Sequence, residues 1–171
     1  MPLNLELKLK LDTHENVESI LKKNNVCVSE VIDQKDVYYF VKNGLLKLRI
    51  EGEKNTLIKY LRDESGNDRW SNYKIIQLTN GNAEKFLSEL FTTETIVKKI
   101  RKLYWLLNTR IHIDVVESLG NFLELETIVT GKREEAIGRF NKVIEIMNLD
   151  VRKQFKCSYR DLMLQKQNDT N

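Results

Sequence analysis

Leucine occupies every odd position from residue 3 to residue 11, and Asn4, Glu6, Lys8 and Lys10 fill the even positions between them. A two-residue period over that length describes a β-strand with one apolar and one polar face. The same alternation returns along the chain. A helical stripe of Val17, Ile20 and Leu21 follows, with Asp12 and Glu15 suited to its start and Asn24-Asn25 to its end. Residues 26–41 read as a strand, strongest over 37–41. Asn43-Gly44 is a hairpin signal leading into Leu46, Leu48 and Ile50, which alternate with Lys47, Arg49 and Glu51. A turn at 52–55, a strand at 56–62, a turn at 63–68 and an extended run at 69–78 come next.

Asn80-Gly81-Asn82 then opens a short helix carrying Phe86, Leu87, Leu90 and Phe91. Three strands follow, at 95–107, 110–117 and 122–130, joined by turns at Asn108 and Gly120-Asn121. After Gly131 comes a helix with a broad stripe of Ala136, Ile137, Phe140, Val143, Ile144 and Met147. The segment 151–164 starts extended and ends in a helical turn at 159–164. Residues 165–171 form a polar tail expected to fray. The chain thus predicts one domain over 1–164 plus that tail.

Many consecutive antiparallel strands joined by short turns predict an α+β fold built on a closed eight-stranded antiparallel β-barrel, a tunnel with helices packed on the outside. A sheet that turns its apolar face outward to helices turns its polar face inward. The polar positions therefore become candidate chemistry.

Composition sets the limits. The chain has 171 residues, 41% hydrophobic and 31% charged, with 28 basic and 25 acidic side chains for a net charge of +3. That balance gives no argument for a nucleic-acid or membrane partner. Cys27 and Cys157 stand in no zinc or redox spacing and read as reduced thiols. With no basic segment leading into an apolar run and no long apolar stretch, the expected location is cytoplasmic.

Two groups of polar positions carry the functional reading. Glu6, Asp114, Glu124 and Glu126 are carboxylates at strand positions able to converge, and clustered carboxylates need a cation; hard oxygen ligands suit Mg²⁺ or Mn²⁺. Lys8, Lys47, Arg49, Lys59, Lys99 and Arg101 are cations from several strands, and converging cations need an anion of high charge such as a polyphosphate. The two together are what phosphoryl chemistry uses. Alternation by itself fits a solvated face equally well. The segregation of signs, acidic on the last strand and basic on others, is what sets the pattern apart. His112 shares a face with Arg110 and Asp114 and suits a structural role ahead of substrate contact or acid/base work. Trp70, Tyr73, Tyr104, Trp105, Tyr38 and Tyr39 suit packing or the stacking of a nucleobase.

Asn4-Leu5-Glu6-Leu7-Lys8 resembles the Glu-x-Glu-x-Lys first strand of the CYTH family, within the triphosphate tunnel metalloenzymes. Residues 34–39, 46–49, 99–101, 110–114 and 158–162 also resemble the family in order. The run Leu119-Gly120-Asn121-Phe122-Leu123-Glu124-Leu125-Glu126 is the most specific piece. The stretch from Thr109 to Glu126 is most similar to class IV adenylyl cyclases. The resemblance implies a triphosphate in the tunnel, held by Lys8, Lys47, Arg49, Lys59, Lys99 and Arg101, with Arg110 and Lys156 as weaker candidates. It implies metal, Mg²⁺ or Mn²⁺, at Glu6, Asp114, Glu124 and Glu126, with Glu6, Glu124 and Glu126 catalytic. It implies either cyclisation of ATP to cyclic AMP and pyrophosphate or hydrolysis of the terminal phosphate of tripolyphosphate, a nucleoside triphosphate or thiamine triphosphate. A homodimer is compatible with it. The chain departs from the family at Asn4, where the first glutamate of the motif stands. A neutral carbonyl is a poorer metal ligand than a carboxylate, and this keeps open a third reading, a non-catalytic polyphosphate or nucleotide binding module.

Overall fold

The computed structural model describes residues 3–63, 69–79 and 81–170. The 64–68 part of the expected turn, Asn80, and the side chain of Trp70 lie outside what it describes. The element order is β1 (Leu3–Leu11), α1 (Glu15–Lys23), β2 (Glu30–Tyr39), β3 (Leu45–Glu51), β4 (Lys54–Asp63), β5 (Arg69–Leu78), α2 (Ala83–Leu90), β6 (Thr93–Leu106), β7 (Thr109–Val116), β8 (Gly120–Ile128), α3 (Arg133–Ile146), a 3-10 turn (Val151–Lys153) and α4 (Tyr159–Thr170). The α+β class and the eight antiparallel strands are those the alternation predicts.

The strands neighbour one another in the order β1-β5-β4-β3-β2-β6-β7-β8. β8 pairs in turn with β1, from Asn4 opposite Ile128 to Leu11 opposite Asn121, so the succession of pairings returns to its first strand. Among the described residues the β1–β5 pairing runs from Leu3 opposite Asn72 to Glu6 opposite Arg69. Tight turns hold the hairpins in register. Gly44 takes a φ of +74°, and Leu107 and Asn108 take +50° and +56°, the positive pair that a two-residue hairpin turn requires.

The outer face is apolar where helices cover it. Leu7 and Leu9 of β1, Tyr104 of β6, Ile111 and Ile113 of β7 and Leu123 and Leu125 of β8 pack with Val17 and Leu21 of α1 and Val143 and Met147 of α3. Val37 and Tyr39 of β2 and Leu46 and Leu48 of β3 pack with Ala83 and Leu87 of α2. Helix α1 begins at Glu15 after His14, without a side-chain cap. The expected cap at Asp12 lies too far upstream, and the acidic first turn (Glu15, Glu18) and basic last turn (Lys22, Lys23) complement the helix dipole instead.

The fourth helix behaves differently from the expected outer layer. Tyr159 and Met163 of α4 pack with Tyr38, Val97, Val116 and Phe122, which project from the inner face of the sheet. One end of the interior is therefore apolar, and α4 sits against it. The helix also runs on through Thr170 rather than fraying at residue 165. Lys166 bonds the carbonyl of Ser118, and Gln167 donates to Thr95 at 3.4 Å, which ties the polar end down.

Candidate active site

Residues directly opposite across a pair of strands share one face of the sheet, so register decides which side chains meet. Lys8 stands opposite Glu124, and Glu124 opposite His112. Glu6 stands opposite Glu126, and Glu126 opposite Arg110. Arg101 faces Asp114, Lys99 faces Gln34, Lys47 faces Tyr38, and Arg49 faces Asp36. All these positions are on the inner face, and most are buried there.

They surround a cavity of about 150 Å³. Its lining takes Asn4, Glu6 and Lys8 from β1, Lys47 and Arg49 from β3, Lys99 and Arg101 from β6, Arg110 from β7, and Glu124 and Glu126 from β8. Tyr38, Ser158 and Tyr159 close one side. Ile58, Tyr60, Tyr73 and Ile75 of β4 and β5 form an uncharged wall.

Two carboxylates anchor the cations. Asp36, 1% exposed, accepts from Lys47 Nζ at 2.8 Å, Arg49 Nε at 3.0 Å and Gln34 Nε2 at 3.1 Å. Asp114, wholly buried, accepts from Arg101 Nε and Nη2, both at 2.7 Å, and from the Tyr159 hydroxyl at 2.9 Å; Lys99 Nζ lies 3.5 Å away. Burial alone would raise the Asp36 carboxyl, but Arg49 and Lys47 hold it well below the usual range. Asp114 is likewise lowered against burial, by Arg101 and Lys99. The lysines respond the other way. Burial, reinforced by Arg49 and opposed by Asp36, pushes Lys47 down to about 7. Burial and Arg101 push Lys99 down to about 8. Cations crowded in a buried space lose protons readily and regain them when an anion enters.

The acidic side centres on β7 and β8. Glu124 meets Lys8 at 3.4 Å and Arg101 at 2.9 Å; Glu126 meets Arg110 at 2.7 Å. Lys8 and Arg101 hold the Glu124 carboxyl well below its usual value against the upward push of burial. His112, Glu124 and Glu126 bring one ligand atom each to within 4.8 Å of one another. Two carboxylates and an imidazole form a donor set that fits a divalent metal.

The structure thus brings together Glu6, Lys8, Lys47, Arg49, Lys99, Arg101, Arg110, Glu124 and Glu126 of the residues picked from the sequence. Lys59 does not join them. Lys47 pairs with Ile58, so Lys59 pairs with Leu46 on the outer face and is exposed. Lys156 is exposed as well. Asp114 sits beneath Arg101 and Lys99 rather than lining the cavity. Among the aromatics, Tyr38 and Tyr73 line the cavity, Tyr104 packs in the outer core and Trp105 is exposed. Asp36, Tyr159 and Ser158 were missed. Asp36 falls on the inner parity of β2, two residues before Tyr38, and that parity was the available signal. Nothing in the sequence alone brings Tyr159 to the interior.

Residues 3–159 match the CYTH domain family. The chain belongs to the CYTH family. No curated protein sequence matches it. Solved structures with the same fold include the PH1012 protein of Pyrococcus horikoshii OT3, at a TM-score of 0.80 and 21% identity over 93% of this chain and 98% of that one. An adenylate cyclase candidate from Vibrio parahaemolyticus aligns at 0.72 and 18% identity over 94% and 97%. The adenylyl cyclase candidate HpAC1 from Hippeastrum, in which triphosphatase activity is dominant, aligns at 0.72 and 14% over 97% and 96%. At these identities the likeness is one of fold. CYTH proteins are typically metal-dependent enzymes that act on triphosphates. In this CYTH domain no helix among the described residues is long and apolar enough to cross a membrane.

Proposed function

We propose that this CYTH chain is a metal-dependent enzyme acting on a triphosphate held within a closed tunnel, with ATP cyclisation as its reaction. The observation that carries the reading is the convergence of Lys8, Lys47, Arg49, Lys99, Arg101 and Arg110 on one cavity that Glu6, Glu124 and Glu126 also line. Six cations in a buried space suit an extended polyanion better than any neutral or singly charged ligand. Arg49 and Arg101 have their forks oriented by Asp36 and Asp114, so they meet phosphate oxygens preorganised.

Glu124, Glu126 and Glu6 would hold the metal, which when bound polarises the phosphoryl oxygens and the attacking hydroxyl. Lys8, Arg101 and Arg110, which pair with Glu124 and Glu126, also line the cavity and would turn to phosphate oxygens where those carboxylates serve as metal ligands. In the cyclase reaction the ribose 3′-hydroxyl gives up its proton to solvent as its oxygen bonds to the α-phosphorus, the α–β bridging P–O bond breaks, and pyrophosphate leaves into the lysine and arginine cluster. The Ile58, Tyr60, Tyr73 and Ile75 wall gives the nucleoside an uncharged surface to rest on.

Hydrolysis of the terminal phosphate is the second reading. The dominant triphosphatase activity of HpAC1, on the same fold, favours it. Incubation with ATP or tripolyphosphate, with Mg²⁺ or Mn²⁺, followed by product analysis separates the two. Cyclic AMP and pyrophosphate support the cyclase, and orthophosphate supports the hydrolase. Tight binding without turnover overturns both and leaves a binding module.

A further inference from the structure

His112 lies beside Glu124 and Glu126, which line the cavity, yet its Nδ1 makes no hydrogen bond among the described residues. The residue is 4% exposed. A buried polar nitrogen left without a partner is destabilising, so such an atom calls for an explanation. Its surroundings supply one. Nδ1 lies 3.8 Å from Glu126 Oε1 and 4.0 Å from Glu124 Oε2. Both separations exceed hydrogen-bond reach and fall at the upper limit of what two metal–ligand bonds of about 2 Å can span, so the side chains would close by roughly half an ångström around an ion. The three residues are held on adjacent strands, with His112 directly opposite Glu124, so their spacing is fixed by the sheet.

We propose that His112 Nδ1 is a nitrogen ligand to the metal held by Glu124 and Glu126, and that this site therefore selects a divalent transition metal over Mg²⁺. The proposal rests on the triphosphate reading for the role of the metal, though not for its binding. Imidazole is a poor ligand for Mg²⁺, which keeps oxygen ligands and water; the first-row ions accept it with affinity rising from Mn²⁺ to Cu²⁺ and falling again at Zn²⁺. On the neighbouring strand Asn4 lines the same cavity with a neutral amide where a carboxylate would add hard negative charge. Glu126 Oε2 is engaged by Arg110 while Oε1 is the atom turned toward His112. Glu124 Oε2 is shared with Arg101 at 2.9 Å, so a metal bound there displaces that guanidinium toward the phosphates.

The test uses the full chain stripped with a chelator and then loaded with MnCl₂ alone. Pulsed electron paramagnetic resonance at saturating Mn²⁺ should show modulation from a directly bound ¹⁴N. Competition titrations should show a preference for Mn²⁺ over Mg²⁺ that falls in His112→Gln by at least the roughly tenfold that losing even an outer partner of a metal site costs. Mn²⁺ bound without ¹⁴N modulation, or no Mn²⁺ bound at all, overturns the proposal whether or not the variant folds. Turnover with Mg²⁺ and no nitrogen signal removes this inference and leaves the triphosphate reading standing. A nitrogen-coordinated Mn²⁺ with no turnover on any triphosphate does the reverse.

Discussion

Glu124 meets Lys8 at 3.4 Å and Arg101 at 2.9 Å and lies 4.0 Å from His112. Replacing it by the isosteric amide removes the charge a metal needs while keeping the shape the sheet has packed. Glu124→Gln and Glu126→Gln should each lower turnover on ATP or tripolyphosphate by at least about a hundredfold, with an unchanged circular dichroism spectrum. Full rates in both would remove the metal role of β8. Asn4 is the opposite experiment. It lines the cavity beside Glu6 and is 3% exposed. Asn4→Glu restores a carboxylate there and should tighten Mg²⁺ binding measured by titration calorimetry; unchanged affinity would place Asn4 outside metal reach. At this scale the sequence was readable where chemistry followed strand parity, as at Glu6, Lys8, Lys99 and Arg101. It was not readable for His112, whose role depends on the distance to Glu126 across β8.

At the level of the strands, register separates Lys47 from Lys59. Both look alike in sequence, each a lysine between apolar neighbours, but the β3–β4 pairing places Lys47 opposite Ile58 and puts Lys59 one residue out of phase. A one-residue shift exchanges the two faces of a strand. Lys47→Ala should therefore weaken tripolyphosphate binding about tenfold or more, in line with losing a charge-assisted contact, whereas Lys59→Ala should leave it unchanged. Equal losses in titrations of the two variants would mean the register is wrong. β4 misled because Ile58 and Tyr60 flank Lys59 much as Leu46 and Leu48 flank Lys47, and alternation gives period without absolute phase. β1, β3 and β8 gave their faces away through long unbroken alternation. α4 did not, because its apolar anchors, Tyr159 and Met163, meet Val97, Val116 and Phe122 at the inner end of the sheet, and that meeting depends on strands far away in sequence.

Over the whole molecule, the interior holds an array of opposed charges that folding must remove from water, and its lysines record the strain. Lys47 is pushed down to about 7 and Lys99 to about 8 from an ordinary value of 10.5. Between those values and 10.5 the unfolded chain binds protons that the folded chain has released, so unfolding takes up protons. Stability then rises with pH across that window. Below pH 7 both states are protonated at these lysines and the full penalty of burying the charge is present; toward pH 10 it disappears. Asp36, Asp114 and Glu124 are held below their usual carboxylate range and stay ionised throughout the window. The thermal midpoint of the ligand-free chain should accordingly rise from pH 7 to pH 9.5, by about 2–4 °C for each kcal/mol regained. A polyanion in the cavity reverses the preference, because phosphate oxygens stabilise the protonated ammonium groups. The midpoint increase produced by tripolyphosphate should be largest near pH 7 and shrink toward pH 9.5, and binding near pH 8.5 should take up protons, seen as a dependence of calorimetric heat on the ionisation enthalpy of the buffer. Lys47→Met should flatten both trends. If the ligand-free midpoint instead falls steadily from pH 7 to 9.5, Lys47 and Lys99 keep their protons in the folded chain, and the interior is wetter than their burial implies.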